Sequence, residues 1–172
     1  MIKSKLMTQV GLAALSSIRD EHENMQALLW TNNWEDALAY LVSNHPTDKL
    51  MTWILAQLMA DTVALSQQEK CCAQDILKWL EKRDDDCRWR IFNQAGELGF
   101  DSTVGALGLA LFWSQGSMTP AEFEAVYPEN HLAPVMLHCV LMLMSIQLAG
   151  EQAPLTGARV LVAHWYASIG RH

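Results

Sequence analysis

Val and Ile are scarce in this chain, 16 together against 53 for Leu, Ala and Met. β-Branched side chains favour strands, whereas straight and γ-branched ones lose little rotamer freedom in a helix. The shortage argues against a sheet and for an all-α fold. Positive charge is also short: 12 Lys and Arg oppose 19 Asp and Glu, a net charge of -7. An acidic protein repels the phosphate backbone that supplies most affinity for nucleic acid. The densest basic stretch, Lys82, Arg83, Arg88 and Arg90, encloses Asp84, Asp85 and Asp86, so no basic stripe compensates. No nucleic-acid partner is expected. Charge of either sign is modest, at 18% of residues against 51% hydrophobic, which excludes a disordered, purely solvating chain. A chain of 172 residues buries roughly 70% of the surface it exposes unfolded, so a core needs no staples.

Motifs that define a reaction are missing. There is no GxSxG elbow, no GxxxxGK[ST] phosphate cradle and no GxGxxG turn. Ser114 and Ser117 lie near His131 in sequence, but nothing in the pattern orients that His as a base. His131 and His138 stand seven residues apart on one expected helix, about 10 Å along its axis, too far for one ion. The run Asp20 to Glu23 lacks the alternating oxygens and central Gly of a calcium loop and reads as a solvated helix start. Neither a metal nor a cofactor is expected. Cys71, Cys72, Cys87 and Cys139 form no CxxC pair, and reduced, packed thiols suit the cytoplasm. Lys3 and Lys5 precede an apolar stretch to Leu15, but Thr8, Gln9 and Gly11 interrupt it, a poor signal peptide. Leu132 to Ala149 reaches the minimum length of a membrane span. With His138, Ser145 and Gln147 inside it and Pro134 near its start, it reads as a central helix covered on all sides, without membrane insertion.

Turn and capping residues divide the chain into seven or eight helical pieces. Asn32 and Asn33 separate a helix over about 20–31 from one over 34–43, and Asn44, His45 and Pro46 end the second. A deeply buried helix is expected over about 47–65. Ser66 with Glu69 forms a capping box for the next. Asp84 to Asp86 open a fifth piece, with Trp89, Phe92 and Ala95 inward and Gly99 as its stop. The sixth runs from about 101 to 113, with Gly105 and Gly108 permitting close helix contact. Thr119, Pro120 and Glu122 read as a second capping box, predicting a short helix over about 120–126. Asn130 caps the long apolar helix, and a last helix covers about 156–169. Short connections imply antiparallel hairpins around a central apolar helix in one domain over 1–172, with 1–18 set apart as a loosely ordered segment.

Seven tryptophans fall mostly on inner faces. Trp30 and Trp34 flank a turn and are the ones expected to reach the surface, where Trp often dominates an interface.

From Gly108 the chain reads GLALFWSQGSMTP, then a short linker, then HLAPVMLHCVLMLM, and finally a helix ending WYASIG. These elements resemble an uncharacterised bacterial family of small helical proteins. Its members share an aromatic-Trp-Ser-small-Gly-Ser stretch, a proline-rich linker, a His-Leu pair opening an apolar helix, and an aromatic helix stopping at Gly. Here those positions are Phe112, Trp113, Ser114, Gly116, Ser117, Pro120, His131, Leu132 and Gly170. Gln115 stands where Gly is usual, and only Pro128 remains of the proline run near His131. Members often accompany type VI secretion genes, so the resemblance implies an accessory role in that contractile injection machine.

The expected function is a non-catalytic, cytoplasmic protein-interaction module, an adaptor or chaperone. Its protein partner would be a secretion spike-tip or effector protein, and a homo-oligomer is compatible with the sequence. Candidate partner-binding residues are Trp30, Trp34, Trp113, Ser114, Gly116, Ser117, Tyr127 and His131. An immunity protein that plugs a cognate toxin is the alternative, and an enzyme of unrecognised type the third.

Overall fold

A computed structural model describes residues 3–60 and 64–170. Among these it is all-helical: α1 (Lys3–Leu6), α2 (Gln9–Ala14), α3 (Glu21–Trp30), α4 (Trp34–Asn44), α5 (Thr47–Met59), α6 (Gln67–Lys82), α7 (Asp85–Leu98), α8 (Thr103–Ser114), α9 (Leu132–Ala149) and α10 (Pro154–Ile169). The helices gather into two compact units. Met1–His45 with Leu141–His172 make a terminal unit, and Pro46–Val140 make an inserted unit. The division falls within α9.

Local chemistry sets the helix starts. At α6 the Ser66 hydroxyl accepts the Glu69 N–H at 3.2 Å and the Glu69 carboxylate accepts the Ser66 N–H at 2.7 Å, the expected capping box. Asp20 and Glu23 form another at α3. Asp84 and Ser102 cap α7 and α8 through single side-chain bonds. At the other end of α6, Arg83 adopts a left-handed conformation, φ 57°, and stops the helix.

In the inserted unit, α6 packs on α5 and α7, and α8 packs on α5, α6 and α7. α8 is the helix enclosed most fully: Thr103 through Phe112 are all buried. Its closeness to α7 depends on Gly108, where a Cβ would stand 2.8 Å from that of Ala95. The inward row of α7 is Cys87, Arg88, Ile91 and Ala95, so Trp89 and Phe92 lie half-buried beside it. Trp89 instead meets Phe112 edge-on, with centroids at 4.9 Å, and Phe92 stacks on it at 4.3 Å. Trp79 of α6, expected on an inner face, is 1% exposed.

In the terminal unit, α4 packs on α1, α3 and α10. Trp165 of α10 is fully buried and meets the His45 ring at 4.7 Å. His45 is also bonded to Glu21 at 2.7 Å, and the Tyr166 hydroxyl donates to that same Glu21 oxygen at 3.3 Å.

Several further expectations change. Residues 3–14, set apart as loosely ordered, form two short helices tied to the buried carboxylate of Asp36. The Thr8 N–H donates to it at 2.7 Å and the Thr8 hydroxyl at 2.6 Å. No helix covers 120–126. Thr119 does not cap, because its hydroxyl is spent on the Glu124 carbonyl at 2.7 Å. Finally, α5 ends at Met59 rather than near 65; residues 61–63 of that expected stretch lie outside the described residues. The apolar helix α9 is long enough to cross a membrane by length and composition, with mean hydropathy 1.9. Only 39% of it is buried, so it is covered on fewer sides than its composition suggests.

Candidate functional site

Two places collect the candidate residues, one in each unit. In the inserted unit, the segment from Phe112 to Ser117 wraps the guanidinium of Arg88, which is 2% exposed. Arg88 lies on the inward row of α7, three residues after Asp85. Its Nε donates to Asp85 at 2.6 Å, Nη1 to the Phe112 carbonyl at 3.0 Å and Nη2 to the Ser117 carbonyl at 2.7 Å. The Phe112 ring covers the guanidinium at 4.4 Å. Burying a cation is costly unless its donors are matched, and here the end of α8 and the following turn supply the acceptors. The turn depends on Gly116. Its φ is +90°, and a Cβ there would stand 2.8 Å from the guanidinium carbon.

Ser117 then fixes the loop beyond. Its oxygen accepts the N–H groups of Thr119 and Val126, at 3.1 and 3.0 Å. The Thr119 hydroxyl donates to the Glu124 carbonyl, and the Ser117 hydroxyl has two acceptors in reach, the Thr119 oxygen at 2.8 Å and the Val126 carbonyl at 3.3 Å. The Met118 N–H closes the loop on the Val126 carbonyl at 2.7 Å. The backbone is thus held by polar contacts, while Phe123, Val126 and Tyr127 remain 64%, 49% and 71% exposed.

The candidates at Trp113 to His131 therefore divide. Gly116 and Ser117 shape the loop. Tyr127 projects from it. Trp113 is half-buried, and the Ser114 hydroxyl is bonded back to the Leu111 carbonyl at 2.6 Å. His131 pairs with Glu129 at 3.1 Å. Both serines near His131 are thus engaged with backbone partners.

In the terminal unit, the turn between α3 and α4 is set by Asn32, φ 59°, and by the Asn33 N–H bonded to the Leu28 carbonyl at 2.9 Å. It leaves Trp30 84% exposed, whereas Trp34 is half-buried and does not line the groove beside Trp30. Trp30 borders an open groove of about 740 Å³ that also involves Arg19, Gln26, Ala27, Leu29 and Arg159. Arg19 donates to the Ala14 carbonyl at 3.3 Å and Arg159 to that of Leu29 at 3.5 Å. Sequence reasoning found Trp30 through its turn but missed both arginines, which come from opposite ends of the chain.

A second hollow, of about 680 Å³, lies between the end of α6 and the start of α7. Three of its four cations have carboxylate partners: Arg90 and Lys78 hold Asp75 at 2.9 and 3.2 Å, and Arg83 holds Asp48 at 3.1 Å, while Lys82 lines it beside Asp84 and Asp85. The Arg90 bond, with help from Gln94 and Lys78, holds the Asp75 carboxyl well below the usual carboxylate range, at about 2. Among the thiols, burial pushes Cys72 up to about 12, far from thiolate reactivity at neutral pH. Among the described residues no group of three or more His, Cys, Asp or Glu could hold a metal ion.

The fold and these sites define an all-helical protein with a pinned, aromatic surface loop and an arginine-lined groove. A family model, a family of unknown function designated DUF6931, matches residues 24–163, and the chain belongs to that family. No curated protein and no solved structure matches the chain.

Proposed function

We propose that this chain is a non-catalytic protein-interaction module, a cytoplasmic adaptor or chaperone serving a type VI secretion system. Its partner would be a secretion component such as a spike-tip or effector protein. The observation that supports this reading is the loop over 117–127. Its backbone is closed by its own hydroxyls and amides, yet Phe123, Val126 and Tyr127 face solvent. Large apolar side chains gain by leaving water, and this loop gives them no cover. A preformed loop also loses little conformational freedom on docking, so more of the contact energy appears as affinity. Aromatic side chains are among those that dominate interfaces. Glu122, Glu124 and Glu129 surround the three residues, which favours a partner whose apolar pocket has a basic rim.

The test is affinity purification at native expression with quantitative mass spectrometry, comparing the wild type with F123A/Y127A. A secretion component should be recovered with the wild type and fall by about tenfold or more with the variant. Circular dichroism of the two should coincide, since neither side chain is packed. Equal recovery by both proteins, or no secretion component with either, counts against the reading.

A further inference from the structure

We propose that the groove at Trp30 is a docking site for an acidic peptide segment of a partner protein, one that carries an aromatic or large apolar residue. This does not rest on the loop over 117–127; it stands on the chemistry of the groove.

The chain is acidic overall, yet among the described residues the charged side chains lining this groove are Arg19 and Arg159 alone. Neither is paired with a carboxylate among the described residues. Each gives one bond, at 3.3 and 3.5 Å, to a backbone carbonyl. A guanidinium has five N–H donors in a planar fork that matches a carboxylate, so most of this capacity is unspent. The hollow beside α6 and α7 is the informative contrast. It holds four cations, but Lys78, Arg83 and Arg90 are already neutralised by Asp75 and Asp48, and Lys82 shares the hollow with Asp84 and Asp85.

The other walls say what accompanies the charge. Ala13, Ala14 and Ala27 give apolar surface, and Trp30 gives a rigid indole that is 84% exposed. A volume of about 740 Å³ far exceeds one carboxylate or phosphate and suits several residues of a peptide. Two guanidiniums make no basic stripe along which a polyphosphate chain could run. A peptide with acidic residues beside an aromatic one meets both requirements. Its carboxylates would bond the guanidinium forks, and its ring would cover the indole.

The experiment is selection of random peptides displayed on phage against the purified full chain, followed by synthesis of the best clone with a fluorescent label. Selected clones should show a clear excess of Asp and Glu together with Phe, Tyr, Trp or Leu. The synthetic peptide should bind R19Q/R159Q about tenfold more weakly than wild type, the scale of one or two charge-assisted hydrogen bonds. It should also weaken with W30A, and binding should fall as salt is raised. F123A/Y127A should bind it as the wild type does, which separates this site from the loop. All the substituted side chains are exposed, so the variants keep their fold, checked by circular dichroism. Selection that yields no acidic excess overturns the proposal, as does binding unchanged in R19Q/R159Q. Displacement by millimolar inorganic phosphate would replace the peptide with a small anion, and competition by single-stranded DNA would replace it with nucleic acid.

Discussion

Arginine serves opposite ends in the two units. In the inserted unit Arg88 is sealed from water, and its three nitrogens are spent on Asp85, Phe112 and Ser117. In the terminal unit Arg19 and Arg159 stand in the open, each with one long bond to a carbonyl. The same guanidinium is a structural tie in one place and an unfilled receptor in the other. What separates the two is whether the surrounding backbone has consumed the donors. Arg90 lies between them, half-exposed at 51% but paired with the buried carboxylate of Asp75.

Substitutions can break or sharpen this contrast. Removing Arg88 should have the largest effect. R88A strands two carbonyls and empties the space under Phe112, so urea denaturation should report a loss of about 3 kcal/mol. Next comes G116A, expected to cost about 2 kcal/mol from its positive φ and from contact with the guanidinium. Placed in an R88A background it should keep only the backbone part, about 1 kcal/mol, and a double-mutant cycle measures the difference. Additive losses would show that Gly116 and Arg88 are not coupled.

The intermediate case gives a pH dependence. Asp75 is held at about 2, below the unfolded value of about 3.9. Its contribution is therefore complete above about pH 4 and is lost as pH falls through about 2. The half-exposed Arg90 and Lys78 are screened by solvent, so D75N should cost roughly 1–2 kcal/mol at pH 7. Acid titrations of stability for wild type and D75N should converge near pH 2. The smallest effect belongs to the groove: R19Q/R159Q should change stability by less than about 0.5 kcal/mol. A larger loss in the same urea experiment would mean that these arginines are ties after all.

Much of the fold was legible because helices announce themselves locally. Ser66 with Glu69, Asp84 and Ser102 each mark a start within a few residues of its partner. What escaped depends on distant partners or on competition. Thr8 and Gly11 look like interruptions of an apolar run until Thr8 meets Asp36, 28 residues away. Thr119 carries the spacing of a cap, but its hydroxyl is taken by the Glu124 carbonyl. Of the candidate site, Trp30 was readable from its turn, and Gly116 and Ser117 through the Trp-Ser-x-Gly-Ser stretch that carries the family resemblance. Arg88 was hidden in a charged run, where its neighbours gave no hint of burial. Arg19 and Arg159 meet only after folding, so no window of sequence contains both.

The inserted unit occupies a continuous stretch, whereas the terminal unit needs both Met1–His45 and Leu141–His172. On the ribosome this imposes an order. After α4 emerges, α10 is still the whole of 46–140 and more away, on the order of ten seconds of translation. During that interval the inserted unit can complete itself, while α4 waits for α10 and the ring of His45 for Trp165. The nascent chain must therefore be kept from premature aggregation at its beginning, not at its middle.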